Sequence, residues 1–311
     1  MNKQVRLLIL RGGAIGDFIL TLPAIQALRD QWPEAYIEVL GYPHIANLAL
    51  AGGLVDHVGS LDRAEMARFF AARPSFSEEQ ARYVESFDLI ISYLHDPHGV
   101  LRSNLLAAGA RQVIYGSPLV TAGHAIEQLM KPLETLAIYG ESPCPRLTLK
   151  ETDRARGAGW LMKWGLGGKV VAIHPGSGSP RKNWPAERFA LLAEQLKSSG
   201  AAVVFVLGEA DRAVATELRA RRPDVPALAD QSLVEVASVL AACAGFVGND
   251  SGITHLAAAL GLPVVAIFGP SDPDQWGPRG PKVTVLRAPG GDLGAVTVDA
   301  VWAAVRSVAT A

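Results

Sequence analysis

The apolar residues of this chain fall in short uninterrupted runs rather than in alternation, and that pattern constrains its fold most. "VRLLIL" (5–10), "YIEVL" (36–40), "DLIIS" (88–92), "KVVAIH" (169–174), "AAVVFVL" (201–207), "GFVG" (245–248) and "PVVAIF" (263–268) are all of this kind. A strand wetted on one face alternates apolar and polar residues, whereas one covered by helices on both faces reads as a continuous apolar stretch. Amphipathic helical segments such as "LPAIQALRDQWP" (22–33) and "AERFALLAEQLKSSG" (186–200) separate the runs. Strand and helix in alternation predict an α/β protein built on doubly wound parallel sheets.

A strand leading through a glycine loop into a helix occurs twice, at "VRLLILRGGAIGD" (5–17) and at "KVVAIHPGSGSPRKNWP" (169–185). The chain of 311 residues is also longer than a single core comfortably supports. Two Rossmann-like domains are therefore expected, 1–148 and 149–311, with the Pro-containing stretch "YGESPCPRLTL" (139–149) between them. Ligands of open α/β sheets sit beyond the carboxyl ends of the strands, so both glycine loops are expected to line a cleft between facing domains. The closing segment "TVDAVWAAVRSVATA" (297–311) reads as an amphipathic helix, and packing back on the N-terminal domain is one placement open to it.

Composition excludes several classes. A net charge of −1 argues against broad nucleic-acid binding. The two cysteines, Cys144 and Cys243, make neither a disulfide framework nor a thiolate metal site, which fits a reducing cytoplasm. The longest apolar stretch, "LAAALGLPVVAIFG" (256–269), is interrupted by Gly261 and Pro263 and is shorter than a membrane span. The N-terminal "LLIL" is too short for a signal-peptide core, so membrane contact is expected to be peripheral at most, at the inner face of the cytoplasmic membrane. The segment from Ser60 to Gly116, with its arginines and aromatics, reads either as a solvated helix face or as an acceptor-contacting surface.

The first loop fails as a dinucleotide fingerprint. Arg11 stands where the first glycine belongs, and the second strand ends at Gly41 rather than at an acid, which argues against a nicotinamide or flavin enzyme. Asp17 has two readings, a helix N-cap or a catalytic base. A helix beginning near Thr21 would put Pro23 in its first turn and leave Asp17 in the loop with a free side chain, and that start is the expected one. In the second loop, Gly176 and Ser177 offer backbone and hydroxyl donors to a phosphate and Lys182 adds a positive charge, although the Walker spacing is absent. An ordinary Ser/Gly turn with a surface lysine has the same composition.

The stretch "GFVGNDSGITHLAAALGLPVVAIFGPSDP" (245–273) carries the most information. A strand ends at Asn249-Asp250-Ser251-Gly252 and a helix begins there, exposing backbone N–H groups at an anion-binding terminus. Asp250 can accept from sugar or ribose hydroxyls, or cap the helix, and His255 lies within reach of a phosphate or serves the structure alone. "DPD" (272–274) is the one metal-like pattern; no carboxylate or histidine cluster supports it, and no metal or cofactor is expected. Nor does any segment fit a serine nucleophile elbow.

Three motifs in this order resemble the ADP-heptose:lipopolysaccharide heptosyltransferases, glycosyltransferase family 9: "LRGGAIGDFILTLPAIQALR", "AIHPGSGSPRKNWPAERFALLAEQL" and "FVGNDSGITHLAAALGLPVVAIFGPSDP". The resemblance implies a GT-B architecture with the nucleotide-sugar donor, ADP-heptose by analogy, held mainly by the C-terminal domain, and a lipopolysaccharide-type glycan as acceptor. By position it makes Asp17 the catalytic base and Lys182 a phosphate contact. It groups Asp250, Ser251, Gly252 and His255 around the donor, with Glu209, chosen over Asp211, on the ribose. Gly16 is expected to let the donor sugar approach the backbone. Gly12-Gly13, where hydroxyl residues are common, and Ser92, where an Asp is frequent, depart from the family, while Arg102-Ser103 keeps its R-S pair. The reaction implied is metal-independent inverting transfer; a sugar-nucleotide epimerase and a non-catalytic nucleotide-binding module are the alternatives.

Overall fold

The computed structural model describes residues 4–140 and 143–310. The chain divides into two compact units, Met1–Pro143 and Cys144–Ala311. The division falls inside the proline-containing stretch 139–149, of which Glu141 and Ser142 lie outside the described residues.

The first unit holds a five-stranded sheet of β1 (Arg6–Leu10), β2 (Tyr36–Gly41), β3 (His57–Ser60), β4 (Leu89–Ser92) and β5 (Val113–Tyr115), in the order β3-β2-β1-β4-β5. Every pairing is parallel; Leu7 of β1 lies against Ile37 of β2 on one side and Leu89 of β4 on the other. The second unit repeats the plan with six strands, β6 (Val170–His174), β7 (Ala202–Leu207), β8 (Ala227–Ala229), β9 (Gly245–Asn249), β10 (Val264–Phe268) and β11 (Val283–Arg287). Their order is β11-β10-β9-β6-β7-β8, again parallel throughout. The doubly wound α/β class expected from the apolar runs is what the chain adopts, once in each unit.

The runs are continuous because both faces of the central strands are covered. Val171, Ile173, Val203, Phe205, Val247, Val265 and Ile267, spaced by two along their strands, pack in one cluster with Phe189, Leu192 and Leu196 of the helix Ala186–Ser198. The intervening Val170, Ala172, Val204, Phe246, Val264 and Ala266 point to the opposite face and are buried as well. The closing helix, Val298–Thr310, sends Val301, Ala304 and Val305 into this same cluster, so it packs into the core of its own unit.

In each sheet the strand order reverses between two neighbouring strands, β1 and β4 in the first unit and β6 and β9 in the second. Helices leave the two strands of such a pair for opposite faces, and the loops at their carboxyl ends part to form a crevice, the site where ligands of open α/β sheets bind. The loops after β1, β6 and β9 are the three that carry the motifs.

Candidate functional site

In the first unit the helix after β1 starts at Ile15, not near Thr21, and runs to Gln31 with Pro23 inside it. Asp17 is thus in the first helical turn and not on a free loop, which corrects the sequence-based placement. Its Oδ2 accepts the Ala14 N–H at 2.8 Å, reaching back over the start of the helix as the third residue of a capping box does. A proline costs a helix interior about 3 kcal/mol. Seven apolar side chains of this helix, Phe18, Ile19, Leu20, Leu22, Ala24, Ile25 and Leu28, are buried. At roughly 1.5–3 kcal/mol for each large one, their burial outweighs the break.

Gly13 explains itself in this geometry. Its φ is +97°, and a Cβ there would sit 2.8 Å from Asp17 Oδ2 and 3.0 Å from Asp17 Cβ. The glycine makes room for the aspartate folding back upon it. The Asp17 side chain remains 36% exposed. Beside it Arg11, buried, places Nη2 3.8 Å from Asp17 Oδ1. Gly16 occupies the second position of the helix, directly before the aspartate.

In the second unit the crevice between β6 and β9 collects most of the remaining candidates. The loop after β6 contains Gly176 and Ser177 and ends in a short 3-10 turn, Pro180–Lys182. Lys182 Nζ reaches Asp250 Oδ2, at the end of β9, at 2.7 Å, joining two residues 68 apart in sequence. Ser251 is the N-cap of the helix Gly252–Ala259 and accepts the Thr254 N–H at 3.3 Å. The Gly252 and Ile253 N–H groups ahead of it have no acceptor within the helix and form the positive end of its dipole, an arrangement suited to an anion. His255 is buried one turn in. Ser177 spends its hydroxyl locally, with Ser179 O at 2.7 Å and Asn183 Oδ1 at 2.6 Å as the acceptors in reach of its one proton, so it orders the loop.

Asn249, given no role by sequence reasoning, and Asp211, weighed there only for the ribose, hold these loops in place. Asn249, wholly buried at the end of β9, donates from Nδ2 to Pro175 O at 2.7 Å and accepts the Trp184 N–H at 3.0 Å. It clamps both ends of the β6 loop. Asp211 is buried beneath that loop, accepting the Gly208 N–H at 2.7 Å and standing 3.8 Å from His174 Nδ1. A Cβ on Gly176 would fall 1.6 Å from Asp211 Oδ1, so glycine is required there by a neighbouring carboxylate. His174 Nδ1 lies 2.9 Å from Val206 O; a carbonyl only accepts, so Nδ1 carries the proton. Burial holds the His174 pKa below the ordinary histidine value of 6.5, against the opposing pull of Asp211. A sequence signal existed for Asn249, an amide directly before Asp-Ser-Gly at a strand end, but its partners lie in the loop after another strand.

Glu209 sits in the 3-10 turn after β7, exposed, with Arg212 Nη2 3.1 Å from its Oε1. Asp272 and Asp274, the metal-like pair, both face Arg287, at 3.2 and 3.4 Å, and Asp272 caps its own short helix. A guanidinium already compensates these two carboxylates. Among the described residues no group of three or more metal-ligating side chains comes together. No helix among them is long and apolar enough to cross a membrane.

A pair of Rossmann-like units, the second carrying a lysine and a helix N-terminus at its switch point, is the GT-B organisation of nucleotide-sugar-dependent glycosyltransferases. Residues 116–294, more than half of the chain, match Glycosyltransferase family 9 (heptosyltransferase), and the protein belongs to that family. Lipooligosaccharide heptosyltransferase 2 of Haemophilus influenzae is 34% identical over 131 residues, 40% of this chain and 38% of that protein. The chain thus aligns with well under half of that relative's length. Lipopolysaccharide heptosyltransferase 1 of Escherichia coli O18:K1:H7 is 26% identical with 96% of each covered. Among solved structures, the glycosyl transferase family 9 protein of Veillonella parvula superposes with a TM-score of 0.82, at 22% identity and covering 100% of this chain and 99% of its own. The ADP-heptose lps heptosyltransferase II of E. coli gives 0.79, at 21% identity and covering 98% and 99%. At these identities the superpositions establish the fold.

Proposed function

We propose that the protein is an inverting glycosyltransferase that moves a heptose, or a related sugar, from an ADP-sugar to a lipopolysaccharide-core or similar glycan. The observation that carries this reading is the Lys182–Asp250 pair at 2.7 Å beside the start of the Gly252–Ala259 helix, inside the segment that matches the family. A lysine ammonium and free N–H groups are what a diphosphate needs as negative charge develops on it, and they supply this without a metal ion. Gly176 and Ser177 keep the loop that bears Lys182 in shape, and Gly252, Ser251 and His255 border the anion site. Asp250 then exchanges its ammonium partner for sugar or ribose hydroxyls.

Glu209 takes the ribose hydroxyls in this reading. Asp211, the other candidate, has its carboxylate committed to Gly208 N and pressed against Gly176, whereas Glu209 is open to solvent. In the first unit Asp17 accepts the proton of the acceptor hydroxyl as its oxygen attacks the anomeric carbon. ADP departs from the opposite face, which inverts the configuration. Its exposed carboxylate, steadied by Ala14 N–H, supports the assignment. Gly16 gives the sugar close access to the backbone beside it. The work is done at the cytoplasmic side, with peripheral contact where the acceptor is anchored in a membrane.

Asp17→Asn tests the chemistry. Turnover with ADP-heptose and a truncated core glycan should fall by about two to four orders of magnitude, the usual contribution of a general base, with donor affinity nearly unchanged. Near-normal turnover would return Asp17 to a purely helix-capping role. Incubating ADP-heptose alone should leave it unaltered; an epimerised sugar nucleotide would replace transfer by isomerisation.

A further inference from the structure

We infer that Arg11 is the residue that positions Asp17 for proton transfer, a role that rests on the reading of Asp17 as the base. Arg11 follows β1 directly and its guanidinium is buried, with the side chain 4% exposed. Three of its nitrogens each find an acceptor, two on the helix Ile15–Gln31 and one just past β4. Nε donates to Thr21 Oγ1 at 2.9 Å, Nη2 to the backbone O of Asp17 at 2.8 Å, and Nη1 to Tyr93 O, just past β4, at 3.4 Å. The backbone N–H of Arg11 donates to Leu40 O on β2 at 2.9 Å.

The loop after β1, the first turns of the helix and the end of β4 are therefore tied to one rigid planar group. The helix is held at the residue that matters, since Thr21 Oγ1 also donates to Asp17 O, at 2.8 Å. Asp17's carbonyl thus accepts from both Arg11 and Thr21, while its carboxylate is fixed from two sides, by Ala14 N–H on Oδ2 and by Nη2 3.8 Å from Oδ1. A helix interrupted by Pro23 two residues beyond Thr21 lacks one backbone bond of its own. The arginine supplies the anchorage at that end.

A lysine cannot reproduce this. Its single ammonium reaches one or two of the three acceptors, whereas the guanidinium fork presents donors in three fixed directions. Arg11 touches no substrate in this role; it acts through Asp17. Its presence in place of the first glycine of a dinucleotide fingerprint, a misfit for cofactor binding, is here the functional feature of the loop.

The test is a double-mutant cycle, with ADP-heptose and a truncated core glycan as substrates. Arg11→Met should lower kcat about a hundredfold, the scale of a 1 Å misplacement of a reacting group, with the KM for donor unchanged. Arg11→Lys should recover part of the loss. In the Asp17→Asn background, Arg11→Met should cause no further fall, because a residue acting only through the base has nothing left to position. Thr21→Val, which removes one acceptor and keeps the charge, covers the case in which Arg11→Met does not fold. It should lower kcat severalfold in the wild-type background and not at all in the Asp17→Asn background. Multiplicative losses in the double variants, or full kcat in both Arg11→Lys and Thr21→Val, would overturn the positioning role while leaving the base intact. Undiminished turnover in Asp17→Asn alone would overturn the base, and with it the role of Arg11.

Discussion

Replacing Gly176 by alanine isolates the contact between the β6 loop and the carboxylate beneath it. The added Cβ would lie 1.6 Å from Asp211 Oδ1 and 2.2 Å from its Cγ, far inside any real contact. Loop or carboxylate must therefore move by about 2 Å to reach ordinary van der Waals distance. Asp211 is buried and holds Gly208 N–H at 2.7 Å, so yielding there breaks a hydrogen bond to a charged acceptor. Overpacking of this kind costs typically 1–3 kcal/mol and loss of a charged hydrogen bond about 1.5–3 kcal/mol. Relaxation shares the two, and a net destabilisation of roughly 3 kcal/mol is expected, a fall in melting temperature of roughly 6–12 °C for a unit of this size. Thermal denaturation reads the stability and an ADP titration reads the loop, with weaker binding expected. Gly178→Ala is the control two residues away, where an added Cβ meets nothing within 4 Å. It should leave stability unchanged or raise it by a few tenths of a kcal/mol through the unfolded chain. If Gly176→Ala melts with the wild type, Asp211 does not wedge against the loop and the reasoning fails.

The other predictions concern the same unit. Asn249→Ala should destabilise by about 2–4 kcal/mol, since it leaves Pro175 O and Trp184 N–H buried without their partner; calorimetry checks this, and ADP affinity should fall with it. His174 is held neutral by burial, so below its ordinary value of 6.5 the unfolded chain binds the proton that the folded chain resists. Stability must then fall as pH is lowered through that value, and His174→Gln should flatten the dependence of melting temperature on pH between about 7.5 and 5.5. EDTA should leave turnover unaltered, because Asp272 and Asp274 already face Arg287. Loss of activity that added magnesium restores would revive a metal at that pair.

Much of the fold could be read from the chain because burial on both faces leaves an unmistakable apolar run. All seven runs are strands, and every one of them lies in a sheet interior. The four strands that gave no signal, β3, β5, β8 and β11, are the four sheet edges. An edge strand is partly exposed and short, so "HVGS" and "ALA" carry neither the length nor the composition of a core strand. The start of the first helix was misplaced because Pro23 speaks locally and strongly, while the apolar burial that overrides it depends on neighbours elsewhere. For the candidate site, each motif could be recognised alone, but not the way β6 and β9 come to be adjacent. Asn249 acquires its two partners, Lys182 its carboxylate and Gly176 its wedge only through the folded chain, and no local pattern announces them.

The brevity of the outer strands has a consequence for how the protein keeps its own company. A sheet's margin is a row of unused N–H and C=O groups, a template on which another chain can add itself. Here β5 and β8 offer three residues each, β3 four and β11 five, the last ending in Arg287. A stray strand seated on any of them would gain only a few backbone bonds, too little to repay the ordering of its residues. Two sheets whose inner strands are rich in valine and isoleucine, the composition most prone to self-recruitment, thus end in margins of three to five residues, on which a fibril or a swapped neighbour has little to grip.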